Sequence, residues 1–294
     1  MRIFGDITRE REGLAAAARG ARTRGLTMRR AGAALAALAL LLCVMNAPVA
    51  SAAAAKDNDT LYQVSTLNAL MLGDYDGSVT LGDLKKQGSI GLGTFDKLDG
   101  EMTVLDGHVY QTKGDGRVAE PDDSVTAPFA CVTRFEADKT FEVKNVADIK
   151  ALTALLDGEI RENRNIFYAV KLTGTFGALT VRTENAQEKP YKDLSTVLKD
   201  QAVFNYKDIR GTVVAIYCPN YVTGLNAPGW HLHFVSADRT KGGHVLAVAV
   251  RSAKAELDTT TQWTIDLPDK SAAFAGLKLE TDLAKETKEV ETKH

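Results

Sequence analysis

The sequence shows little compositional bias and no excess of positive charge. Its 294 residues are 45% hydrophobic and 25% charged, which argues against a disordered or fibrous protein. The formal net charge is −2. Residues 1–52 carry eight arginines and three acidic residues, so the rest of the chain has 28 basic and 35 acidic side chains, a net charge of −7. Such a chain is a poor candidate for binding nucleic acid or an anionic membrane surface.

We find no internal repeat, and the length allows one large or two small domains.

The sequence also lacks an apolar run of the length that a membrane-spanning helix needs. Its most apolar segment, at about residues 31–45, follows two arginines and is followed by small residues at 50–52. This pattern predicts a secretory signal peptide over residues 1–52. We interpret residues 1–27 as an extension upstream of a start at Met28. We therefore expect an exported protein, periplasmic or secreted, with no stable membrane association after cleavage.

Cysteine is scarce, with three in the whole chain. Two leucines precede Cys43 where a lipoprotein signal needs small residues, so we do not interpret Cys43 as a lipid anchor. Cys131 and Cys218 remain after cleavage. A disulfide is permitted outside the cytoplasm, but two cysteines far apart in sequence do not establish one. We expect two buried thiols.

The pattern of elements is rich in strands, with few helices. Asp-Gly pairs at 99–100, 106–107 and 115–116 are typical of tight hairpin turns. Apolar residues at helical spacing predict a helix within residues 145–160. Shorter helices are expected in "TLGDLKKQG", in "KPYKDLSTVLKDQ" and in the polar tail "DLAKETKEVE". The segment "LYQVS" alternates as a strand does, and "NIFYAVKLTGTFGALTVRTE" predicts two β segments.

These elements predict an α/β fold of the mixed α+β kind, in two domains. Each domain is expected to contain a mixed or antiparallel sheet with a few helices. A disordered leader is predicted at residues 53–60, followed by a β-rich N-terminal domain at 61–190. The C-terminal domain, at 191–294, is expected to carry a metal-binding hairpin and an active-site tail.

Histidine is as scarce as cysteine, but its distribution is uneven. Three of the five histidines lie in "GWHLHFVSADRTKGGH", from Gly229 to His244. Side chains at i and i+2 of a strand share one face, so His231 and His233 project side by side. The turn-rich "SADRTKGG" then folds His244 back towards them. Three imidazoles that leave coordination positions open suit a catalytic divalent metal such as Zn, Fe, Ni or Mn.

Two other interpretations of this cluster are weaker. Histidines that face solvent and bind nothing are disfavoured by the third histidine after a Gly-Gly turn. A cupin-type oxygenase usually has a glutamate four or five residues after the second histidine, where this chain has Ala237 and Asp238. Trp230 and Phe234 are expected to pack around the hairpin. We expect His108 on the surface of a strand, and His294 is the chain end.

Several long segments together resemble the alpha-acetolactate decarboxylase family. They are "YQVSTLNALMLGDYDG", "GLGTFDKLDGEM", "FYAVKLTGTFGALTVRT", "PNYVTGLNAPGWHLHFVSADRTKGGHVL" and the acidic "EVE" of the tail. The resemblance extends from about Leu61 to Glu291. It implies decarboxylation of (S)-2-hydroxy-2-methyl-3-oxobutanoate (2-acetolactate) to (R)-acetoin and CO2. It also implies two mixed α/β domains, with the metal between or beside them, and a homodimer.

The same resemblance assigns roles to individual residues. His231, His233 and His244 would hold a zinc ion. Glu101 in "LDGEM", Arg182, Thr94 in "GLGT" and a glutamate of the tail would line the site. The tail match is Glu291, with Glu286 and Glu289 close by. Arg182 would orient the substrate carboxylate, and the glutamates would transfer protons.

The chemistry explains why these residue types belong together. Losing CO2 leaves electrons that the neighbouring ketone can accept, and a Lewis acid on that oxygen stabilises the charge. No thiamine, pyridoxal or biotin is needed, because the substrate supplies its own electron acceptor. Two alternatives stay open at this point. The chain could bind metal without catalysis, or it could be a metal-dependent hydrolase of a small acyl substrate.

Overall fold

The computed structural model of the chain describes residues 59–291. The predicted signal peptide, residues 53–58 of the predicted leader, and His294 lie outside the described residues. The strands are β1 Thr60–Val64, β2 Val79–Thr80, β3 Ile90–Thr94, β4 Glu101–Leu105, β5 His108–Thr112, β6 Val118–Ala119, β7 Thr126–Ala127, β8 Ala130–Thr133, β9 Lys139–Val146, β10 Phe167–Thr183, β11 Ala202–Cys218, β12 Gly229–Ser236, β13 Gly242–Thr260 and β14 Gln262–Asp266. The α-helices are α1 Leu67–Met71, α2 Leu81–Gln87, α3 Ile149–Glu159, α4 Leu194–Val197, α5 Ala272–Ala275 and α6 Ala284–Glu291.

Two sheets form the body of the described chain. The first has seven strands in the order β14-β1-β8-β3-β4-β5-β6, and its β1–β14 pair is parallel while the others are antiparallel. The second has the order β10-β11-β12-β13-β9, and β10 also pairs with β13. This extra pairing closes β10, β11, β12 and β13 into a ring. The predicted sheet-rich α/β class is therefore confirmed.

The alternation of side chains along β12 decides which layer each residue faces. Trp230, Leu232 and Phe234 point into the core of the second sheet, which α3 covers. Val235 points the other way, into a core shared with first-sheet residues such as Leu61 and Leu92. Because side chains at i and i+2 share a face, His231 and His233 also point towards the first sheet. The sequence of this one strand thus places two histidines at the junction between the sheets.

Helix α3 forms where the helical spacing predicted it. The Asp148 side chain accepts a hydrogen bond from the backbone N–H of Ala151, an N-cap that satisfies an otherwise unpaired donor. Ile149, Leu152 and Leu156 form its buried face. The Trp230 indole N–H donates to the Asp157 carboxylate at 2.9 Å, which links the helix to strand β12.

The predicted boundary between residues 190 and 191 falls within a connected structure. It lies between β10 and β11, which pair along their whole length in the second sheet. The first sheet also includes β14 from the C-terminal part of the chain, and the described residues 59–291 group as one compact unit. The two-domain layout is therefore not confirmed. Strand β1 begins at Thr60, within the predicted leader.

Two smaller expectations concern membranes and thiols. Among the described residues, no helix has both the length and the apolarity to cross a bilayer. Cys131 and Cys218 are buried free thiols, as expected, and burial raises the pKa of both.

Candidate active site

The three histidines of the β12–β13 hairpin converge on one point. His233 and His244 are register partners across the two strands, and all three side chains are buried. Nε2 of His231 lies 3.1 Å from Nε2 of His233 and 3.0 Å from Nδ1 of His244. Around a tetrahedral zinc with bonds of about 2.0–2.1 Å, ligand nitrogens lie roughly 3.3 Å apart. The spacing and chemistry of this donor set therefore fit a divalent metal.

A contact between the sheets orients His233. Its Nδ1 lies 2.6 Å from the backbone carbonyl oxygen of Met102 on β4. Nδ1 must carry the proton to make that hydrogen bond, so Nε2 presents a lone pair to the other two histidines. Burial, and then the neighbouring His231, lower the pKa of His233 well below its ordinary value. The ring is therefore in the neutral form that binds metals.

The Asp99-Gly100 turn places Glu101 beside the histidines. Gly100 has φ +89°, and a Cβ there would lie 2.2 Å from the carbonyl oxygen of Thr112. The Thr94 hydroxyl donates to the Gly100 carbonyl at 2.8 Å and so fixes the same turn from β3. Glu101 begins β4 with its Oε2 3.4 Å from Nε2 of His233.

Arg182 approaches the histidines from β10. It is the register partner of His244 on β13, its side chain is 4% exposed, and its Nη2 lies 3.3 Å from Nδ1 of His244. Burial alone would lower the pKa of the guanidinium, but the carboxyl groups of Glu184, Glu101 and Glu291 raise it overall. A buried, permanently charged guanidinium beside a metal-ligand set is suited to pairing with a ligand carboxylate.

The polar tail folds back over the site as helix α6. Thr287, Val290 and Glu291 are spaced to share its inner face, and Val290 packs with Leu67 and Leu70 of α1 in a single apolar cluster. Glu291 Oε2 lies 3.3 Å from Nε2 of His231, and its Oε1 lies 3.8 Å from Nη2 of Arg182.

The neighbours of Glu291 on the same helix face outwards. Glu289 is exposed and Glu286 is partly exposed. The structure thus selects Glu291 from the three tail glutamates.

One buried acidic residue of the site was missed in the sequence. Glu184 follows the end of β10, is 3% exposed, and has its Oε1 3.5 Å from Nη1 of Arg182. The sequence contained a pattern that could have identified Glu184. Residues two apart in an extended chain share a face, so "RTE" puts a carboxylate beside Arg182. Its hydrogen bond to Glu101 joins residues far apart in sequence, and no local pattern predicts that contact.

Glu101 and Glu184 form a buried carboxyl pair. Burial, and then the charge of Glu184, raise the pKa of Glu101 well above its ordinary value, with Arg182 opposing. Burial also raises the pKa of Glu184, and Arg182 and a hydrogen bond from Glu101 oppose that rise. Burial and the neighbouring carboxylate therefore favour the protonated form of Glu101.

All of these groups line one cavity. The seven sequence-predicted residues contribute to its wall together with Glu184: they are His231, His233, His244, Thr94, Glu101, Arg182 and Glu291. Leu67, Leu70, Phe129 and Leu194 form an apolar side. The other two histidines are elsewhere in the chain, with His108 exposed on β5 and His294 outside the described residues.

Known proteins resemble this chain in sequence. The family model for alpha-acetolactate decarboxylase matches residues 61–281. The chain is 44% identical to the alpha-acetolactate decarboxylase of Methanosarcina mazei over 231 residues, which covers 78% of this chain and 80% of the relative. It is 42% identical to that of Brevibacillus brevis over 245 residues, covering 81% and 86% of the two chains.

Solved structures show the same likeness. The crystal structure of alpha-acetolactate decarboxylase from Bacillus subtilis strain 168 superposes with a TM-score of 0.76 at 33% identity, covering 79% of this chain and 99% of that chain. A Staphylococcus aureus protein described as similar to this decarboxylase gives a TM-score of 0.75 at 32% identity, covering 79% and 100%. The histidines, Thr94, Glu101, Arg182 and Glu184 lie within the matched range, and Glu291 lies beyond it.

Proposed function

The chain belongs to the alpha-acetolactate decarboxylase family, and from this membership we propose that it converts (S)-2-acetolactate to (R)-acetoin and CO2 with the help of a divalent metal. One observation carries the proposal beyond the family assignment. Three imidazoles, a buried guanidinium and the buried carboxyl group of Glu101, whose pKa is raised well above its ordinary value, line the same small cavity. Those are the groups needed to bind a metal, hold a carboxylate and deliver a proton.

The balance of buried charge supports the metal. With Glu184 and Glu291 ionised, Glu101 protonated and Arg182 charged, the buried side chains would carry a net charge of −1. Uncompensated charge in a low-dielectric interior is costly, and a bound cation offsets it. His231, His233 and His244 would hold the ion, with Glu291 within reach, and we propose zinc as the resident metal. When bound, it supplies Lewis-acid polarisation of the substrate ketone oxygen.

Arg182 accounts for orientation. Its Nη2 lies 3.3 Å from Nδ1 of His244, so a substrate carboxylate paired there would lie beside the histidines that would hold the metal. A grip that stabilised only the bound substrate would raise affinity without raising the rate, so we assign Arg182 to orientation. The apolar residues of the cavity wall exclude water and strengthen this ion pair.

The glutamates account for the proton. Loss of CO2 breaks the bond between the carboxyl carbon and the carbinol carbon, and its electron pair passes to the ketone to give an enediolate. One proton must then reach the carbinol carbon, so each turnover consumes one proton. Glu101 holds such a proton beside His233 and delivers it to one face, which sets the acetoin stereocentre. Thr94 fixes the turn that carries Glu101. No organic cofactor is required.

Removal of the metal should lower both activity and stability. We expect treatment with a chelator to abolish acetoin formation and to lower the melting temperature by several degrees, since a ligand that binds only the folded state stabilises it. Adding one equivalent of Zn²⁺ should restore both. Metal content by atomic emission, differential scanning fluorimetry and an acetoin assay test this together. Full activity in a chain shown to be free of metal would contradict the metal dependence.

Substitution of the tail glutamate tests the role of α6. Glu291→Gln keeps the shape of the side chain but removes a charge that lies 3.3 Å from His231. We expect kcat/KM to fall about 10- to 100-fold, the range typical of residues that support a metal site. Glu289→Gln, on the exposed face of the same helix, is the matched control and should leave kcat/KM unchanged. Equal behaviour of the two variants would remove Glu291 from the mechanism.

Assays on the same metal-loaded preparation distinguish two alternative functions from decarboxylation. A protein that binds metal without catalysis would take up zinc and leave acetolactate at its spontaneous rate of decay. A metal-dependent hydrolase would cleave small esters or amides faster than it forms acetoin. Assays of all three substrate classes on the metal-loaded chain distinguish these outcomes.

Export and assembly complete the proposal. Residues 1–52 have the pattern of a cleaved signal peptide, so we propose that the mature enzyme is periplasmic or secreted. We also propose a homodimer, as the family resemblance implies. N-terminal sequencing of the natural protein and sedimentation of the mature chain test the two statements separately.

A further inference from the structure

Glu184 is a buried acidic residue to which the mechanism above gives no task. It lies two residues after Arg182, where β10 has just ended, and is 3% exposed. A buried carboxylate is costly unless its environment compensates it, so its place beside the catalytic groups calls for a physical account.

The two ends of the Arg182 guanidinium have different neighbours. Nη1 lies 3.5 Å from Glu184 Oε1, while Nη2 lies 3.3 Å from His244 Nδ1. The Nη2 end thus lies beside His244, with Glu291 Oε1 3.8 Å away. Glu184 occupies the other end with a charge of the same sign as the substrate carboxylate. It therefore draws the guanidinium away from a two-armed grip on that carboxylate.

Glu184 also accepts the hydrogen bond of Glu101, which belongs to the other sheet. One carboxyl group thus connects Arg182 on β10 with Glu101 on β4. It lies in the wall between the site cavity and a neighbouring polar cavity of about 100 Å³ that Lys192, Thr196 and Gln201 help to line.

We propose that Glu184 is a positioning residue of the decarboxylation: it holds one end of Arg182 and weakens the grip of Arg182 on the substrate carboxylate. This inference rests on the proposed function. Its energetic logic is that a tighter ground-state ion pair with the departing carboxylate has to be loosened as CO2 leaves. Glu184 therefore favours kcat at the expense of substrate affinity.

The test uses Glu184→Gln in the full mature chain loaded with zinc. The exchange keeps the side-chain shape and removes the competing charge. We expect KM for acetolactate to fall about 3- to 10-fold and kcat to fall about 10-fold, the pattern in which lost ground-state destabilisation lowers both constants. A misplaced or partly unfolded site would instead leave KM unchanged or raise it.

A carboxylate-bearing analogue isolates the ion pair from the chemistry. 2,3-Dihydroxy-2-methylbutanoate retains the carboxylate but has no ketone, and butane-2,3-diol lacks the carboxylate. Glu184→Gln should tighten inhibition by the acid about 3- to 10-fold and leave inhibition by the diol unchanged. Glu184→Asp keeps the charge and should return KM towards the wild-type value. Glu188→Gln, an exposed neighbour, is the matched control and should match the wild type.

The outcomes separate this inference from the proposed function. If the wild-type chain turns over acetolactate but Glu184→Gln shows an unchanged or raised KM, the inference about Glu184 is overturned and the proposed function is not. Absence of turnover by the wild-type chain would overturn the proposed function and this inference with it. A lowered KM with tighter binding of the acid but not of the diol would support both.

Discussion

Replacing His233 by alanine is expected to abolish decarboxylation and metal binding together. His233 is 1% exposed, its Nε2 lies 3.1 Å from His231 Nε2, and the Met102 carbonyl fixes its ring. Removing it leaves two histidines on separate strands and a cavity in the buried junction between the sheets. We expect kcat/KM to fall by at least about 10³-fold, since removal of a single electrostatic contact to a developing oxyanion already costs about 10²–10³.

Metal content gives this variant a second readout. The wild type should retain about one zinc per chain after gel filtration, and His233→Ala should retain almost none. His108→Ala is the matched control, because His108 is exposed on β5 and forms its ion-pair contact with Glu120. The control should keep both metal and activity. A His233→Ala variant that keeps wild-type turnover would show that these histidines do not form the catalytic centre.

Glu101→Gln is expected to have the second largest effect. The amide occupies the same volume but cannot supply the carboxylic proton that the enediolate needs. We expect kcat to fall about 10²- to 10⁴-fold, the usual contribution of a positioned acid or base. Zinc content should stay near the wild-type level, because the ligand nitrogens belong to the β12–β13 hairpin.

The stereochemistry of the residual product makes this prediction specific. Protonation by solvent, instead of by one buried group, should lower the enantiomeric excess of acetoin. Chiral gas chromatography of product from Glu101→Gln measures it directly. Glu120→Gln, an exposed residue paired with His108, is the control. A variant at Glu101 with wild-type kcat and a single product enantiomer would assign the proton to another group.

Local patterns in the sequence predicted much of the fold. The His231 and His233 spacing correctly predicted a shared strand face, and His244 pairs with His233 across the hairpin as the Gly-Gly turn indicated. Helix α3 formed within the predicted range, and its apolar residues form a buried face. The Asp106-Gly107 pair joins β4 to β5, where Gly107 has φ +82°. These features depend on residues close in sequence, so periodicity and turn chemistry suffice.

Other elements follow from contacts that no local pattern contains. Residues 165–184 were predicted as two β segments, but β10 runs from Phe167 to Thr183 with register irregularities near Phe176 instead of a break. Helix α1 was missed, because all five of its residues are buried and it therefore lacks an amphipathic pattern. The division into two domains was not confirmed, since a shared core and strands from both halves join the sheets.

The site, too, depends partly on contacts that no local pattern in the sequence contains. The resemblance supplied Thr94, Glu101, Arg182 and Glu291, and the structure brings all four to the histidines. The roles assigned to them stay predictions. Glu184 was overlooked because a glutamate in "RTENAQEK" is most simply interpreted as solvated. Glu184 interacts with Glu101, which lies on a strand of the other sheet, and no local pattern contains that contact.

The most direct test of the account is the product formed from racemic 2-acetolactate by the purified mature chain, from about residue 53, loaded with one equivalent of zinc. Chiral chromatography should detect (R)-acetoin well above the spontaneous rate, with the (S)-substrate consumed first. That result would place both the loss of CO2 and the protonation inside the cavity. A folded, metal-loaded chain that forms acetoin no faster than buffer, or forms it as a racemate, would contradict the account.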